Sequence, residues 1–323
     1  PSSSIDSNTT LPPRAGRSST PTWRRCSPTV CSWACNRRLR TIWLPCLLLL
    51  ACASCTRGCA EPIELGRVLV DAPRSFDDRP ALRARIRNAA VAKLDNAEGV
   101  GLDLGSRKAS HIARLDIGNV RERPEAGSER VVTFSFEPLR EGRGFESVGR
   151  APARDDVAAG ILAAFADGLD MVQQQRRLAE QPDSQLVEAL GSTDARLREF
   201  AIEELGRRQS SVGVEPLCEL LQQEEREELV LRAIGSLVSI GEPRAVEPII
   251  RLSKRQDPAF VLQVVFAVGA IGGRTAEAYL VTMASGHPVE AVRKGAEDAL
   301  AEMKRQRQQR RQRSKVRNHS TSP

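Results

Sequence analysis

Residues 194–206 read DARLREFAIEELG, and the pattern of this stretch returns at a fixed period through the C-terminal part of the chain. Its last leucine begins a column of apolar residues spaced by 32, 31 and 32 positions: Leu205, Leu237, Val268 and Leu300. Two more columns keep this spacing: Ala201, Ala233, Val264 and Ala296, and Leu197, Leu229, Phe260 and Val292. A period of this length is typical of a solenoid, whose units bury their apolar surfaces only against neighbouring units.

The same stretch resembles a HEAT repeat of the phycobilisome-lyase type, with an acid before the first helix, a small alanine within it, a Leu-Gly end and a second helix behind it. The resemblance implies an all-α solenoid of helix pairs over 155–304. Its units are expected near 185–193 (partial), at 194–225, 226–256 and 257–287, and at 288–304 (partial). A helix at 155–178 would precede the first partial unit. Gln209 departs from the pattern, since it stands where the repeat has glycine.

The resemblance also implies where a partner binds. In this repeat family the second helices line the concave surface, and their outward residues meet the partner. Carried over by column, these residues are Glu215, Glu219, Gln222, Arg244, Glu247, Arg251, Lys254, Thr275, Tyr279 and Thr282. Their mixture of charges favours a protein or peptide over a polyanion. Tyr279 is the only tyrosine and is expected to be an exposed hot spot. The alternative is an ordinary solvated helix surface.

Residues 64–150 have a different pattern and are interpreted as a small α+β domain. We expect a helix from Arg79 to Leu94, because apolar residues recur there every four positions. Strands are expected at 65–70, 109–120, 131–138 and 144–150; in the third, Val132, Phe134 and Phe136 alternate with polar residues. With the helix that begins after Asp156, the order predicts helices on one face of an antiparallel sheet. This order resembles the small α/β domains of exported envelope lipoproteins.

Residues 37–55 have the three parts of a secretory signal peptide, which are a basic cluster, an apolar run and small residues. The apolar run is shorter than the roughly 20 residues that a membrane-spanning helix needs. Its end resembles the lipobox of bacterial lipoproteins, which implies a lipid on Cys52, or on Cys55 as a second candidate. Cleavage to a soluble exported protein and a chance apolar run are the alternatives. Residues 1–36 are expected to be a disordered or non-native leader, produced by an upstream start-site error.

Positive charge is concentrated at the two ends of the chain. Residues 1–59 carry +7 and residues 304–323 carry +8; because the whole chain carries +7, about −8 remains between them. An acidic body disfavours a nucleic-acid groove across the folded part. The basic segment 305–323 is expected to be a disordered, solvated tail. Contact of this tail with anionic lipid headgroups or nucleic acid is the alternative.

Residues that carry catalytic chemistry are sparse. The chain has three histidines, and His111 falls in an expected strand, where a structural role is favoured over a catalytic one. Cys218 falls on the buried stripe of an expected helix and is interpreted as an inert core residue. The other seven cysteines lie between positions 26 and 59 and form at most half of a zinc ribbon. We therefore expect no metal and no cofactor.

These patterns favour a non-catalytic protein–protein interaction scaffold of the bacterial cell envelope. It would be membrane-anchored by lipid and periplasm-facing, with a soluble periplasmic form as the alternative. The partner would be a protein or peptide, and nucleic acid is disfavoured. A lyase-like enzyme or accessory protein, related to the chromophore lyases that share this repeat, is the first alternative function. A basic-tailed nucleic-acid-binding protein is the second.

Overall fold

The computed structural model describes residues 62–320 except 74–75, 77–78, 124–126 and 256, and the two parts predicted from the sequence are both present. The first part contains β1 (Ile63–Asp71), α1 (Pro80–Asp95), β2 (Val100–Leu102), β3 (His111–Ile117), β4 (Arg121–Arg123), β5 (Gly127–Pro138), β6 (Phe145–Pro152) and α2 (Val157–Ala179). The second contains α3 (Asp183–Ala189), α4 (Ala195–Arg207), α5 (Val214–Gln223), α6 (Glu227–Ile240), α7 (Val246–Arg251), α8 (Pro258–Ile271), α9 (Arg274–Gly286) and α10 (Glu290–Ser320). The predicted fold class, an α+β domain followed by an all-α solenoid, is confirmed.

The sheet is mixed, which corrects the expected antiparallel arrangement. Strand β1 pairs in parallel with β2 and with β3, whereas β5 pairs antiparallel with β3, β4 and β6. The connection from β1 to β2 runs through α1, and a helical crossover of this kind is what parallel neighbours require. Strands β2 and β4 were not predicted, because three residues are too few to show an alternating pattern.

The alternation predicted for β5 is confirmed. Val132, Phe134 and Phe136 are fully buried in one core that also contains side chains of α1 and α2. The ring of Phe134 meets those of Phe136 and Phe165 edge-on, with centroids 4.9 and 5.1 Å away. Both helices therefore cover the same face of the sheet. The opposite face carries charge, because Arg114 pairs there with Asp71 at 2.5 Å and with Glu137 at 2.6 Å.

Helix α2 belongs to the α+β core, not to the repeat array in which the 155–178 helix was expected. Its buried stripe, including Ile161 and Phe165, lies in the same cluster as the sheet. Gly149 of β6 meets Gly168 of α2, and a methyl group on Gly149 would overlap the backbone of Ala164 and Gly168. Two glycines thus seat the helix directly on the strand. The repeat array accordingly begins at α3.

The repeats form two layers of helices. The first helices α4, α6, α8 and α10 contact one another in sequence, and the second helices α5, α7 and α9 do the same. A single apolar core from Leu186 to Ala299 lies between the layers. Asp194 and Asp257 cap α4 and α8 by accepting hydrogen bonds from the backbone amides of Arg196 and Phe260. Each complete predicted unit therefore holds one helix from each layer.

The last helix continues to Ser320, which differs from the disordered tail expected at 305–323. Arginine, lysine and glutamine favour helix, and the segment contains no glycine or proline before Pro323. Side-chain contacts support the first turn of this extension. Arg305 pairs with Glu302 at 2.8 Å, and Arg307 pairs with Glu277 of α9 at 2.9 Å.

Candidate partner-binding surfaces

The second helices present the residues that the sequence assigned to a partner. The set from Glu215 to Thr282 is exposed except for Tyr279, and it is carried by α5, α7, α9 and the turns that flank α7. The structure brings some of these residues together: Arg244 lies 3.5 Å from Glu215 of the preceding repeat, and Arg251 pairs with Glu247 at 2.8 Å. We call the exposed members of this set the second-helix surface. It is polar and carries both signs of charge.

Tyr279 is not an exposed aromatic. It is half-buried and packs against the repeat core. The reason is its place on α9, one turn from Ala276 and next to Leu280, both of which are fully buried. Burial raises the pKa of its hydroxyl. Tyr279 therefore contributes to packing, and the proposed aromatic hot spot does not lie on the second-helix surface.

A concavity lies elsewhere, between the sheet and the first helices. Its volume is about 1090 Å³, and no sequence pattern pointed to it. We call it the β6 cleft. Its lining includes Ser135, Arg143, Phe145, Glu146, Ser147, Val148, Gln175, Arg196, Glu199, Phe200, Glu203, Glu204, Glu228 and Arg232. Strands β5 and β6 form one wall, and helices α4 and α6 form the other.

Two buried polar side chains line this cleft without a hydrogen-bond partner among the described residues. Ser147 is 5% exposed and Gln175 is 4% exposed, and neither the Ser147 Oγ nor the Gln175 Oε1 has a partner. Leaving such a group unsatisfied costs about 1–3 kcal/mol, so native proteins seldom do it without a reason. The wall of the cleft therefore contains a hydroxyl and an amide oxygen whose hydrogen-bonding capacity is unsatisfied.

Arg143 joins the two walls of the cleft. Its guanidinium lies 4.8 Å from the ring centre of Phe145 and 5.1 Å from that of Phe200, and the two rings stack at 6.3 Å. The same guanidinium donates two hydrogen bonds to Glu204 of α4, at 3.0 and 2.6 Å. Because Arg143 follows β5 and Glu204 lies 61 residues later, these contacts fix the domain against the first repeat.

Glu204 is 1% exposed and accepts hydrogen bonds from three arginines. Arg207 donates to it at 2.8 Å and Arg208 at 2.7 Å, in addition to Arg143. Burial alone would raise the pKa of Glu204, but the hydrogen bonds from Arg207 and Arg208 and the charge of Arg143 outweigh it and lower this pKa to about 2. Glu204 therefore stays ionised at physiological pH.

The contacts between Arg143 and Glu204 form one clasp between the domain and the first repeat, and a second clasp covers part of the outer edge of β6. Arg196 donates to the Val148 carbonyl oxygen at 2.8 Å and to Asp167 of α2 at 2.6 Å. Asp167 in turn accepts a hydrogen bond from the Arg150 amide at 2.9 Å. The clasp therefore joins α2, β6 and α4. It satisfies backbone groups of an edge strand that has no strand neighbour on this side.

Glu199 differs from the other carboxylates of the cleft. It is half-buried and forms no hydrogen bond or ion pair with any described residue. The nearby Arg232 pairs with Glu203 and, at 3.2 Å, with Glu228. Burial raises the pKa of the Glu199 carboxyl. A cation brought by a partner would therefore find one unpaired carboxylate inside the cleft.

The candidate catalytic residues are engaged or buried. The His111 ring lies 2.9 Å from the Ser110 Oγ through Nδ1 and 3.0 Å from the Arg143 carbonyl oxygen through Nε2, so it holds the loop between β5 and β6. Cys218 is buried, as predicted, and burial raises its pKa to about 11. Within residues 62–320 as described, no three His, Cys, Asp or Glu side chains group as metal ligands. Cys52 and Cys55 lie outside the described residues.

Comparison with known families finds one similarity, in the helical part. Residues 184–265 match the family model of HEAT repeats, so the stretch from α3 into α8 is similar to a HEAT-repeat array. No curated protein gives a significant match to the chain. In the part of the chain that the structure describes, no helix combines the length and apolar character needed to cross a membrane. HEAT repeats generally mediate contacts between proteins.

Proposed function

We propose that this protein is a non-catalytic interaction scaffold that binds a protein or peptide through the second-helix surface of its HEAT array, the surface that the repeat family uses as its concave face. One observation carries the proposal: α5, α7 and α9 expose polar side chains of both charges across three successive repeats. Glu219, Gln222 and Lys254 form no ion pair among the described residues and are free to pair with a partner. The pairs that do exist there are exposed and weak.

Site-specific photo-crosslinking tests this surface. A photoreactive amino acid at Gln222 of the full chain should capture a discrete partner in the native host. The matched control carries it at Glu297, which is exposed on α10 of the first-helix layer and unpaired among the described residues. Reversing Glu219 and Lys254 should abolish the adduct at 222. The proposal is contradicted if both positions capture the same partner, or if charge reversal leaves the adduct at 222 unchanged.

Export and lipid attachment at Cys52, or at Cys55, form part of the same proposal. Their support is the pattern of a basic cluster, an apolar run and a lipobox-like end over 37–55. Intact mass and membrane fractionation, with globomycin added or withheld, test it in a bacterial host. A membrane-bound, acylated form cut before either cysteine is expected. An unmodified, full-length product in the cytosol would contradict export and reopen nucleic acid or anionic lipid as a target of the basic segment 305–323.

The lyase-like alternative, including the assignment of the repeats to the phycobilisome-lyase type, stays open to test. The engagement of His111 and the burial of Cys218 favour the non-catalytic proposal. Incubating the purified chain with an apo-phycobiliprotein and its chromophore, and measuring covalent attachment by zinc-dependent fluorescence, decides between them. We expect no attachment above the rate without the chain.

A further inference from the structure

We propose that the β6 cleft is a second binding site, in which an extended peptide segment pairs with the outer edge of β6 and places a lysine or arginine side chain against Glu199. The site lies on the first-helix layer and does not depend on the second-helix surface. Its partner is defined by chemistry: an extended, basic peptide segment.

The outer edge of β6 is open over part of its length. Its inner edge pairs with β5 along its whole length, from Phe145 to Pro152. In an antiparallel strand alternate residues direct their backbone groups to the same edge. The Val148 carbonyl oxygen and the Arg150 amide point to the outer edge, where Arg196 and Asp167 bind them. Both backbone groups of Glu146 and the Val148 amide must therefore point there too, and these three form no hydrogen bond with a described residue.

The open stretch of β6 limits the length of peptide that can pair with it. The clasp formed by Arg196 and Asp167 ends the free stretch of β6 after the Val148 amide. The open part therefore runs from Phe145 to Val148, which is about 13 Å at roughly 3.3 Å per residue. A peptide of about four residues would satisfy the open backbone groups. The peptide would add a short strand to the outer edge of β6, and the clasp of Arg196 and Asp167 would set where that strand ends.

Two buried polar atoms lie in the wall of the β6 cleft. Ser147 Oγ and Gln175 Oε1 line the same cleft, and both belong to side chains that are more than nine-tenths buried. Gln175 offers an acceptor, and Ser147 offers a donor or an acceptor. Both side chains make this part of the cleft wall polar, which favours a ligand with N–H and C=O groups over an apolar one.

The charged side chains of the β6 cleft favour a basic ligand. Arg143, Arg196 and Arg232 are each paired with carboxylates of the protein, whereas Glu146 and Glu199 have no ion pair among the described residues. Arg150 lies beyond the clasp, outside the open stretch of β6. Glu146 and Glu199 are therefore the carboxylates of the cleft that a basic side chain could neutralise. A basic side chain on the peptide would meet Glu199 in a partly desolvated site, where a charged pair gives specificity.

A phage-displayed library of random dodecapeptides, selected on the full-length chain, supplies the probe. A fluorescein-labelled copy of the selected peptide is titrated by fluorescence anisotropy against four proteins: the wild type, Val148→Pro, Val148→Thr and Glu199→Gln. Proline is tolerated on an edge strand whose N–H points outward, so Val148→Pro should fold while losing the key donor. Circular dichroism of each variant checks this.

We expect selected peptides to carry a lysine or arginine. Val148→Pro should weaken binding at least about tenfold, because strand addition depends on main-chain hydrogen bonds. Glu199→Gln should weaken it about fivefold, since a partly buried charge pair is lost. Val148→Thr keeps the N–H and should bind like the wild type. Hydrogen exchange of the wild-type complex should show new protection at the amides of Glu146 and Val148, which provides a readout should Val148→Pro fail to fold.

The inference is overturned if no peptide is selected, if Val148→Pro binds as tightly as the wild type, or if protection appears away from β6. Reversal of Glu219 and Lys254 separates the two proposals. Peptide binding that survives this reversal belongs to the cleft. Peptide binding that is lost with it belongs to the second-helix surface, and it would overturn the inference while supporting the proposed function.

Discussion

Three guanidinium groups converge on the carboxylate of Glu204, although that side chain is almost completely buried. We expect Glu204→Gln to lower the free energy of unfolding by about 3 kcal/mol, because removing one partner of a buried charge cluster leaves the others uncompensated. Arg207→Gln is the control: its side chain is 60% exposed, so the cost should stay below about 1 kcal/mol. Urea denaturation at pH 7 measures both. Equal losses would show that burial of Glu204 is not what matters.

Glu204 also sets a pH dependence. Its pKa is about 2 in the folded chain and near 4.5 when unperturbed, so the folded state favours its ionised form. The stabilisation is therefore complete above pH 4.5 and is lost as the pH falls towards 2. Urea denaturation gives the free energy of unfolding at pH 3 and at pH 6. The difference between these two values should be smaller for Glu204→Gln than for the wild type. An unchanged difference would mean that other carboxylates cause the acid sensitivity.

Gln209 has a φ of 52°, which is the left-handed region that favours glycine. Gly241 occupies the same position one repeat later, with a φ of 74°. We expect Gln209→Gly to raise the free energy of unfolding by about 1 kcal/mol, since a side chain in this conformation is strained. The reverse change, Gly241→Gln, should lower it by a similar amount. Thermal denaturation of both variants checks the pair, and a loss of stability in Gln209→Gly would contradict the prediction.

At the scale of elements, the seating of α2 on β6 depends on two glycines. Gly149→Ala should lower the free energy of unfolding by about 3 kcal/mol, because the added methyl group would overlap helix backbone that cannot move aside. Gly235→Ala is the matched control. Its Cβ would meet nothing within 4 Å, and alanine favours helix by about 1 kcal/mol over glycine, so stability should rise slightly. Chemical denaturation compares the two; similar losses would show that the close approach is not the cause.

The same elements show what could be predicted from the sequence. The periodic columns predicted the helix pairs, and the alternation of Val132, Phe134 and Phe136 predicted the buried face of β5. The bounds 155–304 counted α2 with the repeats, whereas the element order placed it over the sheet; its core contacts bear out the second interpretation. An apolar stripe shows that a helix is buried but not which neighbour buries it. Strand β2 was missed because Val100–Leu102 is short and lies among glycines.

At the scale of the whole molecule, two clasps join the sheet domain to the first repeat. Arg143 binds Glu204, and Arg196 binds Asp167. We therefore expect one calorimetric transition for residues 62–320 in the full chain, and two separated transitions in the double variant Arg143→Ala, Arg196→Ala. Arg244→Ala, which removes an exposed pair within the array, should keep the single transition. Two transitions in the wild type would show that the domains unfold independently.

The β6 cleft could not be predicted from the sequence. Its walls come from segments far apart in the chain. The wall on α4 belongs to the repeat pattern of 194–206, but that pattern does not indicate that Phe200 stacks on Phe145 or that Ser147 lacks a partner there. The period of the repeats describes how units pack on each other. It contains no information about the surface that a non-repeated domain covers at the end of the array.

The clasps also decide where the molecule is stiff. Because the first repeat is held to the sheet by Glu204 and Arg196, torque applied by a bound partner would not turn that repeat on its own. Elastic bending should fall instead on the later units, from α6 to α9, whose main contacts are with their neighbours in the array. The protein is then expected to be rigid where the first repeat meets the sheet domain, and more flexible towards its last helix.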